Sequence, residues 1–166
     1  MNKYDILWAP WRLEFIREDE AEKELRSGCF ICRAAADSRD RERHVFFRSE
    51  TSLGILNRYP YNNGHLLLAP KRHVAKPGDL TEEEMLDLMR QITRWMERLE
   101  QEMQPQGFNI GLNLGHAAGA GLPGHLHWHI VPRWFGDNNF MPAIGHAKVI
   151  PQSLDALWEI LTQNNS

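Results

Sequence analysis

Three histidines fall at alternate positions of His125-Leu126-His127-Trp128-His129-Ile130-Val131. In an extended strand successive side chains point to opposite faces, so His125, His127 and His129 line one face at intervals of roughly 6.6 Å, and Leu126, Trp128 and Ile130 line the other. Near neutral pH imidazole serves as nucleophile, proton carrier or metal ligand, so three on one ledge can divide that work. The spacing alone leaves three readings open: a catalytic ledge, a site for zinc or a related ion, and a polar strand face turned to solvent. The two cysteines, Cys29 and Cys32, form a Cys-x-x-Cys pair. In a reducing compartment such a pair is more often a metal half-site or a redox dithiol than a structural bridge. An acidic helical stretch and Ser27-Gly28 precede it, a poor setting for a thioredoxin-like dithiol, which favours metal.

Positioning these groups requires a sheet and something to cover its apolar face. Strand signals come at His44 to Arg48, Leu53 to Asn57, His65 to Ala69, Phe108 to Leu114 and Leu126 to Arg133, separated by turn chemistry such as Tyr61-Asn62-Asn63-Gly64. The strongest helix runs from about Glu82 to Met103, with Thr81 as N-cap, Glu84 completing a capping box, and Leu80 and Met85 at staple positions. Its stripe of Met85, Leu88, Met89, Ile92, Trp95, Met96, Leu99 and Met103 reads as core, and Pro105 with Gly107 ends it. A second, short helix opens near Ser153 and carries Leu154, Leu157, Trp158 and Leu161. The expectation is an α+β fold: one five-stranded antiparallel sheet with a long helix and a short C-terminal one, the helices covering the Leu126/Trp128/Ile130 face and the histidines facing an open groove. Asp37 to Arg43 reads as a charged turn and Asp137 to Asn139 as a polar break.

The 166 residues, 42% of them hydrophobic, suit a single globular domain able to bury a core without staples. A net charge of −3 argues against a broad basic surface for long nucleic acid, so an anionic substrate would be held locally. Lys3, Asp5 and Arg12 interrupt the start of the chain, and no apolar run is long enough to cross a bilayer; the expectation is a cytoplasmic protein with no membrane partner. Trp8-Ala9-Pro10-Trp11-Arg12 reads as part of an extension over residues 1–28 that docks on the core, or alternatively serves dimer packing or the site mouth, with 29–166 as the domain.

The run His125 to Val131 matches throughout the signature His-φ-His-φ-His-φ-φ, with φ apolar, and the chain resembles the histidine triad superfamily of nucleotidyl hydrolases and transferases. The resemblance extends over Asn57 to His65 and Asn113, and covers about Cys29 to Trp134. Trp8 to Arg12, Cys29-Phe30-Ile31-Cys32 and Gly136-Asp137-Asn138-Asn139-Phe140-Met141-Pro142 look like a microbial, Fhit-like branch of diadenosine tetraphosphate phosphorylases and hydrolases. The resemblance implies that His127 attacks the α-phosphorus and forms a covalent nucleotidyl-histidine that water or phosphate then releases. It implies that His129 and His65 stabilise charge on the leaving group, that Asn57 and Asn113 hold ribose or phosphate oxygens, and that Ile55 and Leu67 sandwich the base. The alternatives are turn formers for the two asparagines and ordinary sheet core for Ile55 and Leu67.

Gly115 to Gly121 would let backbone N–H groups approach a phosphate, or would form only a hairpin. Many relatives carry Gln followed by Ser or Thr just before the triad, where this chain has Gly121 and Leu122, so the α-phosphate contact is assigned only by position, to Gly121 beside His125. Relatives such as the hexose-1-phosphate uridylyltransferases imply structural zinc on Cys29, Cys32, His73 and His125, with His44 as a substitute ligand, and no organic cofactor. Those enzymes have glutamine at the third triad position, where this chain has His129. Relatives acting on damaged DNA carry an extra zinc finger and a basic surface, whereas two cysteines and an acidic balance point to small nucleotides. The resemblance implies a homodimer, with a tetramer as alternative. Other readings of the same residues are a nucleoside phosphoramidate or adenylyl-sulfate hydrolase, and a slow nucleotide-binding regulatory module.

Overall fold

A computed structural model describes residues 28–137 and 149–163. The Trp8 to Arg12 segment and the Asn138 to Pro142 stretch lie outside the described residues. Chain order is α1 (Phe30–Ala36), α2 (Asp40–Arg43), β1 (Val45–Arg48), β2 (Ser52–Leu56), β3 (Leu66–Pro70), α3 (Glu82–Met103), β4 (Gly107–Leu112), β5 (Trp128–Arg133) and α4 (Leu154–Thr162). The five strands form one sheet in the order β1-β2-β3-β5-β4, and every pair is antiparallel. The α+β expectation therefore holds, with strand ends shifted by one or two residues.

Helix α3 starts where its capping residues dictate. The Thr81 side chain accepts from the Glu84 N–H and the Glu84 carboxylate accepts from the Thr81 N–H, so two otherwise unsatisfied donors are paired. Leu88, Ile92, Trp95 and Leu99, spaced by four, three and four, form its buried seam against Leu56, Leu66, Leu68, Leu126, Trp128 and Ile130. Phe46 meets Trp95 edge-to-face at 4.5 Å. Its ring lies so close over β2 that a Cβ on Gly54 would stand 2.4 Å from it, which requires glycine there. Truncating Trp95 to alanine removes the largest side chain of this seam, a change that costs about 3–5 kcal/mol in such cores. Helix α4 opens at Ser153, whose side chain accepts from the Ala156 N–H, and buries Leu157 and Leu161 in the same core.

Two expectations are corrected. Met85 and Met89 are not core: both are more than 40% exposed. At 100° per residue Met89 lies roughly 90° round the helix from the seam, and Met85 sits in the first turn. The charged stretch at Asp37 contains a helical turn, α2, because the Asp37 carboxylate gathers Arg39 and Arg43 while Asp40 pairs with Arg48.

The register fixes the other face of the sheet. Residues opposite one another on a ladder point to the same side. One such row runs Val45, Ile55, Leu67, His129, Gly111 across all five strands. Ile55 and Leu67 thus share the face of His129, away from α3.

Candidate active site

Only His129 of the triad stands on a paired strand; β5 begins at Trp128, so the expectation of a strand from Leu126 is corrected. Both flanking ladders end at Trp128, and the Leu126 N–H donates instead to the Val74 carbonyl at 2.7 Å. His125 and His127 therefore approach the site as extended chain. Both are buried, His125 completely.

Each histidine meets a different partner, and the partner decides which ring nitrogen keeps its proton. Nε2 of His125 lies 2.9 Å from the Pro70 carbonyl, which accepts only, so Nε2 carries the hydrogen and Nδ1 keeps its lone pair. Nδ1 of His127 lies 2.8 Å from the His125 carbonyl, so Nδ1–H donates and the neutral ring has its lone pair on Nε2. His129 takes its state from His65. The Tyr61 backbone N–H donates to His65 Nδ1 at 3.0 Å, and the Asn57 amide nitrogen lies 3.1 Å from the same atom. Asn57 presents that nitrogen because its Oδ1 accepts from the Tyr59 N–H at 2.9 Å. His65 Nδ1 thus accepts, its Nε2–H donates to His129 Nδ1 at 2.8 Å, and His129 Nε2 is left as an N–H donor.

Burial pushes His65 down to about 3, aided by the neighbouring His129 and His127. Burial, and then His127, lowers His129 to about 4. Both rings are neutral at pH 7, the state the hydrogen-bond chain requires. Asn113 Nδ2 lies 3.4 Å from His129 Nε2 and 3.4 Å from the Tyr61 hydroxyl; with His129 Nε2–H a donor, the amide turned over presents Oδ1 to both, and an open pocket lined by Tyr61, Ile110, Asn113, His129 and Val131 adjoins it. Asn57, His65, His127, His129 and Asn113 are thereby brought together. Ile55 and Leu67 are buried on the same face. Gly121 is exposed, with open space where a Cβ would stand.

The second cluster lies at the other end of the histidine segment. Cys32 Sγ is 3.2 Å from His73 Nδ1 and 3.5 Å from His125 Nδ1, and the two Nδ1 atoms are 3.2 Å apart. Ligand atoms of Cys29, Cys32, His73 and His125 all lie within 4.8 Å of one another. His44 is not part of this group among the described residues. A tetrahedral zinc with bonds of about 2.0 Å to nitrogen and 2.3 Å to sulfur separates its ligands by roughly 3.3–3.8 Å. The donor set and spacing fit zinc, and the His125 Nε2–H held by Pro70 is the outer support that such ligands carry.

Sequence reasoning missed Tyr61 and Asn62 as site residues. Tyr61 supplies the N–H on His65 and lays its ring parallel to His129, 16° apart in plane. Its only sequence signal was the Tyr61 to Gly64 turn, read as punctuation.

The HIT domain family model matches residues 38–136. The chain belongs to the HIT domain family. This HIT chain is 40% identical over 151 residues to the AP-4-A phosphorylase of Mycobacterium tuberculosis, covering 89% of this chain and 77% of that one. It is 36% identical over 89 residues to the asymmetrical bis(5'-nucleosyl)-tetraphosphatase of Schizosaccharomyces pombe, over 54% of this chain and 48% of that one. A zinc-bound histidine triad family protein from Mycobacterium smegmatis superposes with a TM-score of 0.65 at 25% identity, over 82% of this HIT chain and 91% of the other.

Proposed function

We propose that this HIT enzyme cleaves dinucleoside polyphosphates, diadenosine tetraphosphate foremost, through a nucleotidyl-His127 intermediate. The observation that carries this reading is the His127 Nδ1–H bond to the His125 carbonyl, which makes Nε2 the lone-pair nitrogen of the neutral ring. Nε2 attacks the α-phosphorus: the N–P bond forms, the P–O bond to the leaving polyphosphate breaks, and the departing oxygen leaves as the anion, its charge stabilised by a hydrogen bond from His129 Nε2–H. His65 Nε2–H faces the opposite nitrogen of His129 and steadies that ring through the transfer. In the second step an acceptor oxygen attacks phosphorus, the N–P bond breaks with its electron pair returning to His127 Nε2, and the acceptor's proton passes to solvent. Asn57 and Asn113 hold ribose or phosphate oxygens, Ile55 and Leu67 contact the base, and backbone at Gly121 approaches the phosphate. The M. tuberculosis relative's name favours phosphate as acceptor, giving ADP and ATP.

Cys29, Cys32, His73 and His125 hold a structural zinc in this reading. A closed four-ligand ion supplies bracing and no catalytic vacancy. The zinc-bound M. smegmatis relative and the ligand spacing support it. Two thiols kept for metal agree with a cytoplasmic location. No helix among the described residues is long and apolar enough to cross a membrane. The edge of β4, which no strand pairs among the described residues and where Ile110 is exposed, is the surface on which a second copy would add to form a homodimer.

The decisive experiment incubates the enzyme with diadenosine tetraphosphate, with and without inorganic phosphate, and identifies products. ADP plus ATP only with phosphate establishes phosphorolysis, AMP plus ATP establishes asymmetric hydrolysis, and no cleavage in either sinks the reading.

A further inference from the structure

The turn between β2 and β3 does more than connect strands. Asn62 is buried although polar, and its Nδ2 donates to the Pro132 carbonyl at 3.0 Å and to Asp137 Oδ2 at 2.7 Å. Asp137 is itself fixed by Arg133 through two hydrogen bonds of 2.6 and 3.0 Å, and Arg133 reaches on to Asn109 Oδ1. Gly64 closes the turn at φ +73°, where a Cβ would stand 2.9 Å from Met103 Sδ, so the turn is seated tightly on the end of α3 and on β5. The anchored residue is the direct neighbour of Tyr61, whose N–H meets His65 Nδ1.

We infer that Asn62, latched to Pro132 and Asp137, is a positioning residue that holds the Tyr61 N–H on His65 and so sets the tautomer of His129. The inference rests on the proposed role of His129 Nε2–H as hydrogen-bond donor to the leaving group. Two neutral imidazoles in series have two arrangements. In one, His65 Nε2–H donates to His129 and His129 Nε2–H faces the substrate. In the other, both protons move to Nδ1, and His129 turns a lone pair toward the leaving oxygen. The Tyr61 N–H, seconded by the Asn57 amide nitrogen at 3.1 Å, excludes the second arrangement on His65 Nδ1, because donors would then face each other. The latch carries no catalytic charge; it keeps a donor in place.

The test is imidazole nitrogen–proton correlation NMR on enzyme labelled with 15N-histidine, together with steady-state kinetics on diadenosine tetraphosphate. Wild type is expected to show Nε2–H on both His65 and His129. Replacing Tyr61 by its α-hydroxy acid deletes the N–H, keeps the ring and leaves the Asn57 amide as the one donor on His65 Nδ1; partly mixed tautomers on both histidines and a kcat about three- to tenfold lower, with KM within about twofold, are expected, and Asn57→Ala in the same background should mix them fully. Asn62→Ala should move both readouts the same way, and the ester variant covers the case in which Asn62→Ala does not fold. Nδ1–H on His129 in wild type, or unchanged tautomers in the ester variant, would overturn the inference. If wild type showed the expected tautomers yet left diadenosine tetraphosphate intact, the substrate reading would fall and the latch would stand.

Discussion

The two ends of the histidine segment use the same side chain in opposite ways. At the Cys32 end, ligand atoms converge: Nδ1 of His73 and Nδ1 of His125 stand 3.2 Å apart beside a thiol, an arrangement suited to a cation placed between them. At the Asn57 end, lone pairs and protons alternate from the Tyr61 amide through His65 to His129. His127 lies between them, its proton engaged by the backbone of His125. Three imidazoles at a spacing of two thus receive three roles, and in each case the group that meets the other ring nitrogen decides. Side-chain identity supplied the capacity; a carbonyl of Pro70, a carbonyl of His125 and an amide of Tyr61 divided it.

Removing the centre tests whether the two ends serve one reaction. His127→Ala should lower turnover of diadenosine tetraphosphate by about a thousandfold or more while nucleotide binding, measured calorimetrically, persists; retained turnover would refute the nucleophile. Breaking the proton-alternating end comes next: His129→Asn should lower kcat by about ten- to a hundredfold, and alkaline quenching of labelled reactions should still show nucleotide on His127. Breaking the converging end should affect stability more than chemistry. Cys32→Ser is expected to lose the zinc seen by elemental analysis in wild type and to lower Tm by about 10 °C or more. Wild-type protein without zinc would remove the metal from this account.

The smallest effect is in pH. Because His65 is held near 3 in the folded chain and titrates near 6.5 when unfolded, the unfolded state binds more protons between these values, and stability falls as pH drops from 7 toward 5. His65 should account for about 1–2 kcal/mol of that loss, seen as a shallower pH dependence of urea unfolding in His65→Asn. Glu84 and Asp87, both lowered to about 2, stay ionised in the folded state throughout this window, so the comparison reports the histidine.

Much of the scaffold was legible because it follows from local rules. Thr81 and Glu84 mark the start of α3 through two hydrogen bonds three residues apart, and the Leu88 to Leu99 seam follows from helical period. The outward turn of Met85 and Met89 was not legible, since period alone does not say how wide a stripe the sheet covers. Among site residues, the three triad histidines and Cys29 with Cys32 carried readable spacing, whereas Asn57, His65 and Asn113 came from the resemblance. His73 entered only through resemblance, and Asn62 and Asp137 lie 75 residues apart with no pattern linking them.

By itself the sequence determined which residues could do the chemistry, which periods they follow, and that a sheet with one covered face would carry them. The tertiary structure alone decided which nitrogen of each ring is a lone pair and which a donor. Tautomers are set by hydrogen bonds to backbone groups such as Pro70 O and Tyr61 N–H, and every residue but proline carries the same N–H and C=O, so no residue letter shows where they point.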